Sequence, residues 1–204
     1  MSNGPIPNGV VSAILGDFVS TDPYKRALSK PFFSVREGCA YATDGCSVVR
    51  VCGLFAEPCP CGPWEMAPDM GRYFSSVFEL DDVTVQGLFR AAKIALRETV
   101  RDARARRGDA ERCVRLAPAR PMVRIDGTYF GARLILRLVS ACQMVFDGVV
   151  QPRLYIGEDR VVLSCGHLQA CVASMFGVAD DCLFAGDVGV DARTFDVFFG
   201  LKGE

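Results

Sequence analysis

Cys165 and His167 stand two residues apart, and His167 is the only histidine in the chain. On one strand they would share a face, which admits a thiolate–imidazole pair and so a cysteine-dependent hydrolase. No third group that would orient the imidazole is evident nearby in the sequence, and a histidine beside a cysteine in an apolar strand is ordinarily a packed residue. Zinc would require paired, suitably spaced ligands. The chain offers Cys59-Pro60-Cys61, too tight and unpartnered, and Cys165-Gly166-His167 with Cys171. Cys39, Cys46, Cys52, Cys113, Cys142 and Cys182 are scattered among apolar residues, where thiols are ordinarily reduced and buried. There is no phosphate-binding P-loop and no G-x-G-x-x-G run. The expectation is a protein with no catalytic residue, no metal and no cofactor, its cysteines reduced.

A second set of residues has chemistry of another kind. Residues 90–124 contain eleven Lys and Arg against four Asp and Glu, so this segment carries +7 and the remainder of the chain −8. A basic block inside an acidic protein suits a polyanionic partner. At 100° per residue Arg90, Lys93, Arg97, Arg101 and Arg104 gather on one side of a helix, opposite Val85, Leu88, Phe89, Ala92, Ala95, Leu96 and Ala103. Five neighbouring cations repel one another unless something anionic lies alongside. Such a stripe contacts phosphates and gives affinity without sequence preference. Arg133 and Arg137, one turn apart on a later helix, are expected to extend that surface.

Elements must hold these residues in place. The 204 residues are half apolar, enough for a sizeable core. No run approaches a membrane span, since Arg133 and Arg137 interrupt the most apolar stretch. The N-terminal residues lack the basic start of an export signal, so no membrane association and a cytoplasmic setting are expected. Helices are predicted over 8–20, 82–107 and 128–144. Strands are predicted at 31–36, 39–43, 46–52, 77–80, 112–117, 121–126, 153–157, 160–165 and 169–176, and the tail at 193–200 reads as one more. Asp44-Gly45 reads as the tight turn of a hairpin, both residues with positive φ. A helix followed by antiparallel strands thus occurs more than once, giving an α+β fold with helices packed on one face of antiparallel sheets. Three segments are expected: a first helix-plus-strands unit over 1–67, a second with the long basic helix over 68–178, and a C-terminal segment over 179–204 packed on the second.

The hairpin stretch YATDGCSVVRV resembles the ATDGHRLAV signature of the bacterial sliding clamp, the β subunit of DNA polymerase III. PDMGRYF at 68–74 is similar to a connection between clamp domains, and RIDGTYFGARLILRLVSAC resembles a helix of the last clamp domain. QPRLYIGEDRVVLSCGHLQACVASMF looks like that domain's closing strands. The chain is too short for three clamp domains, so the resemblance is to an abbreviated clamp-like protein. It implies a homo-oligomer with helices towards duplex DNA, acting as a processivity factor in DNA replication. It also implies a pocket beside the turn for an apolar peptide of a DNA polymerase or other replication protein. By position Thr43, Gly45, Cys46, Ser47 and Val48 would border that pocket, with Met175. Cys46-Ser47 replaces the family's His-Arg, which alters the pocket's polar chemistry. The competing reading is a non-clamp nucleic-acid-binding module that uses the basic helix alone.

Overall fold

The computed structural model describes residues 6–53, 61–63, 69–80, 83–107, 121–146 and 151–175. They form an α+β fold in two units, Met1–Leu80 with Arg137–Ala173, and Asp81–Leu136 with Ser174–Glu204. Among the described residues, every pairing between named strands is antiparallel.

The first unit opens with helix α1 (Asn8–Phe18), which buries Val11, Ile14, Leu15 and Phe18 at helical spacing. Strands β1 (Phe32–Ser34), β2 (Cys39–Thr43), β3 (Ser47–Cys52), β4 (Phe78–Glu79), β7 (Arg153–Ile156), β8 (Arg160–Cys165) and β9 (Leu168–Ala173) make one seven-stranded sheet. Their order is β1-β2-β3-β9-β8-β7-β4. The registers Tyr41↔Arg50, Arg50↔Gln169, Gln169↔Ser164 and Ser164↔Arg153 put these five residues in one row on one face. Alternation therefore sends Ala40, Ala42, Val49, Val51, Ala170, Val161, Leu163 and Cys165 to the other face, all of them buried. That apolar face carries α1, where Ala40 and Ala42 allow close approach, and the part of helix α3 (Ala132–Val145) from Arg137 onward. On the row-bearing face Met70 and Phe74 pack on Phe32, Tyr41, Val48, Val162 and Cys171.

In the second unit, helix α2 (Val85–Arg107) buries Leu88, Ala91, Ala92 and Ala95 and packs on strand β5 (Met122–Ile125). Thr84 caps it: its hydroxyl accepts the Gly87 N–H at 3.1 Å. Strand β6 (Thr128–Gly131) pairs with β5 through a turn in which Asp126 and Gly127 both have positive φ, 48° and 82°. The first turn of α3 follows.

Several sequence expectations change here. The helix predicted from 128 begins at Ala132, because the Asp126-Gly127 turn commits Thr128–Gly131 to a hairpin. At Asp44-Gly45 only Gly45 has positive φ, 91°, so Gly45 and Cys46 make the reversal, closed by Asp44 N–H to Ser47 O at 3.3 Å. The segments expected at 1–67 and 68–178 do not match the units, since β9 pairs directly with β3. The cysteines are not all reduced: Cys39 and Cys52, opposite each other in β2 and β3 with Cα atoms 4.3 Å apart, form a disulfide. Directly opposed residues of a non-hydrogen-bonded pair bring two thiols within bonding reach. The strand at 112–117, the tail at 193–200 and the segment 179–204 lie outside the described residues.

Candidate functional site

The loop between β2 and β3 is fixed by its own side chains. Thr43 donates its hydroxyl to Ser47 O at 2.7 Å and accepts the Gly45 N–H at 3.1 Å. Asp44 Oδ1 accepts the N–H groups of Cys46 and Ser47 at 2.9 and 2.8 Å, and the Ser47 hydroxyl at 3.0 Å. From α3, Arg137 donates to Asp44 Oδ2 in a close ion pair and to Ser47 Oγ at 3.2 Å, with its guanidinium 5.6 Å from the Phe18 ring. Burial alone would raise the Asp44 carboxyl. The donors from Cys46, Arg137 and Ser47 together outweigh it and hold the group below its ordinary value. The Ala173 N–H then ties Cys46 O to β9 at 2.9 Å.

This braced loop borders a cavity of about 220 Å³ on the row-bearing face of the sheet. Thr43, Gly45, Cys46, Ser47 and Val48 line it, together with Leu28, Phe32, Met70, Tyr73, Cys171 and Ala173. Its wall is mostly apolar, and burial pushes the Cys171 thiol up to about 12. Beyond it, desolvation and the hydrogen bond to Glu37 raise the Tyr41 phenol to about 12, while Arg50 stacks 4.3 Å over Phe74 and donates to Gln169 at 2.7 Å. A cavity with apolar walls and a few fixed polar groups suits a short apolar side-chain cluster. Met175 lies in the second unit, its N–H donating to Tyr129 O at 2.9 Å. Cys171 and Ala173, just before it, reach the cavity from β9. Sequence reading did not find Leu28, Met70 or Tyr73. Two of these lie in PDMGRYF, whose resemblance gave a connection and no role for its side chains.

On α2, Arg90, Lys93, Arg97 and Arg101 are exposed, as the helical spacing requires. Lys93 sits 4.1 Å over the Phe89 ring and Arg101 faces Glu98 at 3.9 Å. Arg104 is in the same helix, with its side chain outside the described residues. Arg133 is exposed at the start of α3. Arg137 differs from the expectation of a free surface cation: the buried end of the Asp44 loop holds it. The only sequence signal for this was an arginine inside a helix stretch of leucine, valine and alanine.

Cys165 and His167 are not placed on one strand. Cys165 ends β8, while His167 stands in the β8–β9 turn with its ring against Gly53, where a Cβ would come within 2.6 Å of Nδ1. Cys165 is buried beside Cys142 of α3; that hydrogen bond first, and burial second, raise the Cys142 thiol. Among the described residues no three His, Cys, Asp or Glu side chains gather to hold a metal ion. No helix among them is long and apolar enough to cross a membrane.

No family model matches this chain, and neither a curated protein nor a solved structure matches it.

Proposed function

We propose that the chain is a non-enzymatic, DNA sliding-clamp-like tether that holds a replication protein near duplex DNA. The observation that carries this reading is the cavity. The five turn residues that the clamp resemblance assigned to a peptide pocket lie around one apolar hollow, on a loop braced from behind by Arg137. A rigid loop beside a preformed apolar cavity is what recognition of a short peptide needs, since little ordering cost remains to be met on binding. In this reading a DNA polymerase or another replication protein supplies the apolar anchor, and Cys46-Ser47 changes which sequences fit.

The DNA half of the proposal rests on α2. Its exposed cations make a stripe opposite the buried Leu88, Ala92 and Ala95, suited to phosphates without base reading. The protein then works as a cytoplasmic homo-oligomer that needs no cofactor. Its non-clamp rival keeps the stripe and gives the cavity no partner. Filling the cavity separates them: Cys46→Trp, at an exposed lining position, abolishes capture of a leucine- and phenylalanine-rich peptide and leaves DNA association intact. A wild-type protein that binds no such peptide in fluorescence polarisation contradicts the tethering reading.

A further inference from the structure

The rim of the cavity differs from its wall. Asp22 Oδ1 accepts the Tyr24 N–H at 2.9 Å and Asp22 O the Lys25 N–H at 3.0 Å, a tight turn that presents Tyr24 almost wholly to solvent, at 96% exposure. Lys25 Nζ lies against the loop, donating to Asp44 O at 3.3 Å and standing 3.3 Å from where a Cβ on Gly45 would be. Arg72 also stands at the rim, its guanidinium 5.0 Å from the ring of Tyr73 and donating to that hydroxyl at 3.1 Å. Tyr73 and Gly45 both line the cavity, so the two cations belong to its edge.

Of the nearby carboxylates, Asp44 is neutralised by Arg137, while Glu37, Asp22 and Asp69 accept from the Tyr41 hydroxyl and the N–H groups of Tyr24 and Gly71, neutral donors that leave their charge in place. Asp69 adds an attraction to Arg72 at longer range. Among the described residues neither Lys25 nor Arg72 makes an ion pair with a carboxylate. Lys25, Arg72 and Tyr73 thus border an apolar hollow, and arginine and tyrosine are residue types that anchor interfaces.

We propose that this rim selects peptides whose apolar anchor is flanked by carboxylates. The inference rests on the peptide reading of the cavity: Leu28, Phe32, Val48 and Met70 take the apolar part, and Lys25 and Arg72 take the flanking charges. Charge complementarity of this kind chooses among anchors that the cavity alone accepts equally, and it speeds encounter.

Two fluorescein-labelled octapeptides, DDELLFLF and KKKLLFLF, test it by polarisation on the full chain. The acidic peptide binds the wild type about tenfold more tightly at low salt. That preference collapses at about 0.5 M salt, where screening shortens to a few ångströms. Lys25→Glu with Arg72→Glu, both at exposed positions, reverses the preference, while Cys46→Trp removes binding of both peptides. If neither peptide binds, the peptide reading of the cavity itself falls. If both bind equally and the double variant changes nothing, the cavity reading stands and the rim proposal is overturned. It is equally overturned if a 30-base-pair duplex displaces the acidic peptide from the wild type, for then the rim cations serve nucleic acid.

Discussion

Asp44 holds the cavity's loop by accepting from Cys46, Ser47 and Arg137 at once. Its carboxyl is depressed in the folded state, so its stabilisation is complete above the unfolded value near 4 and is lost as pH falls through the folded value. Asp44→Asn removes this dependence. We expect urea midpoints of the wild type and the variant to differ at neutral pH and to converge in acid; parallel curves down to about pH 2 would contradict the role given to Asp44. Arg137→Ala leaves the carboxylate half-paired and costs about 2 kcal/mol, read from the same unfolding curves. Cys39 and Cys52 give a separate prediction. Without reductant they resist alkylation in peptide mapping, and Cys39→Ser with Cys52→Ser lowers stability by about 2–3 kcal/mol. Alkylation of both in the unreduced protein would exclude the cross-link.

At the scale of elements, α2 was legible because two signals agree in one stretch: apolar positions at helical spacing and cations on the opposite side. The hairpin β2-β3 was legible as two strands from its alternation, but its register was not, since the reversal falls at Gly45-Cys46 and pairs Thr43 with Val48. One signal lay in local pattern and was missed: Asp126-Gly127 is a hairpin dipeptide like Asp44-Gly45, and it commits Tyr129 and Phe130, which fit a helix or a strand by composition, to a strand. Another kind of information is in no local pattern. The pairing of β3 with β9 joins residues 47–51 to residues 168–172, a long-range contact that no short window encodes. The same long-range assembly hides the site: Leu28, Met70, Tyr73 and Cys171 come to the cavity from distant parts of the chain. Arg137 shows the limit most plainly, because its charge reads as surface until Asp44 is placed beside it. Arg97 and Arg101 carry the testable part of α2. Both are exposed and serve no apolar face, so replacing the two with alanine leaves folding within about 0.5 kcal/mol of wild type. The log–log salt slope of duplex binding falls by about 0.9 for each phosphate no longer neutralised, for every DNA sequence alike. An unchanged slope would remove the stripe from the DNA-binding surface.

For the whole molecule, the proposal joins a DNA-contacting helix in one unit to a peptide cavity in the other, each described by its own geometry. The clamp-like reading further expects a homo-oligomer, because encircling DNA takes closed head-to-tail contacts between copies. Light scattering behind size exclusion then gives a multiple of the chain mass, whereas a single chain at micromolar concentration returns the protein to a simple DNA-binding module. The most direct measurement is association of the wild-type protein with covalently closed circular and end-blocked linear duplexes, followed by gel filtration across a salt series. We expect co-elution at low salt with both forms, independent of sequence and falling steeply as salt rises. Failure to associate with either form at low salt would contradict the DNA-tethering function.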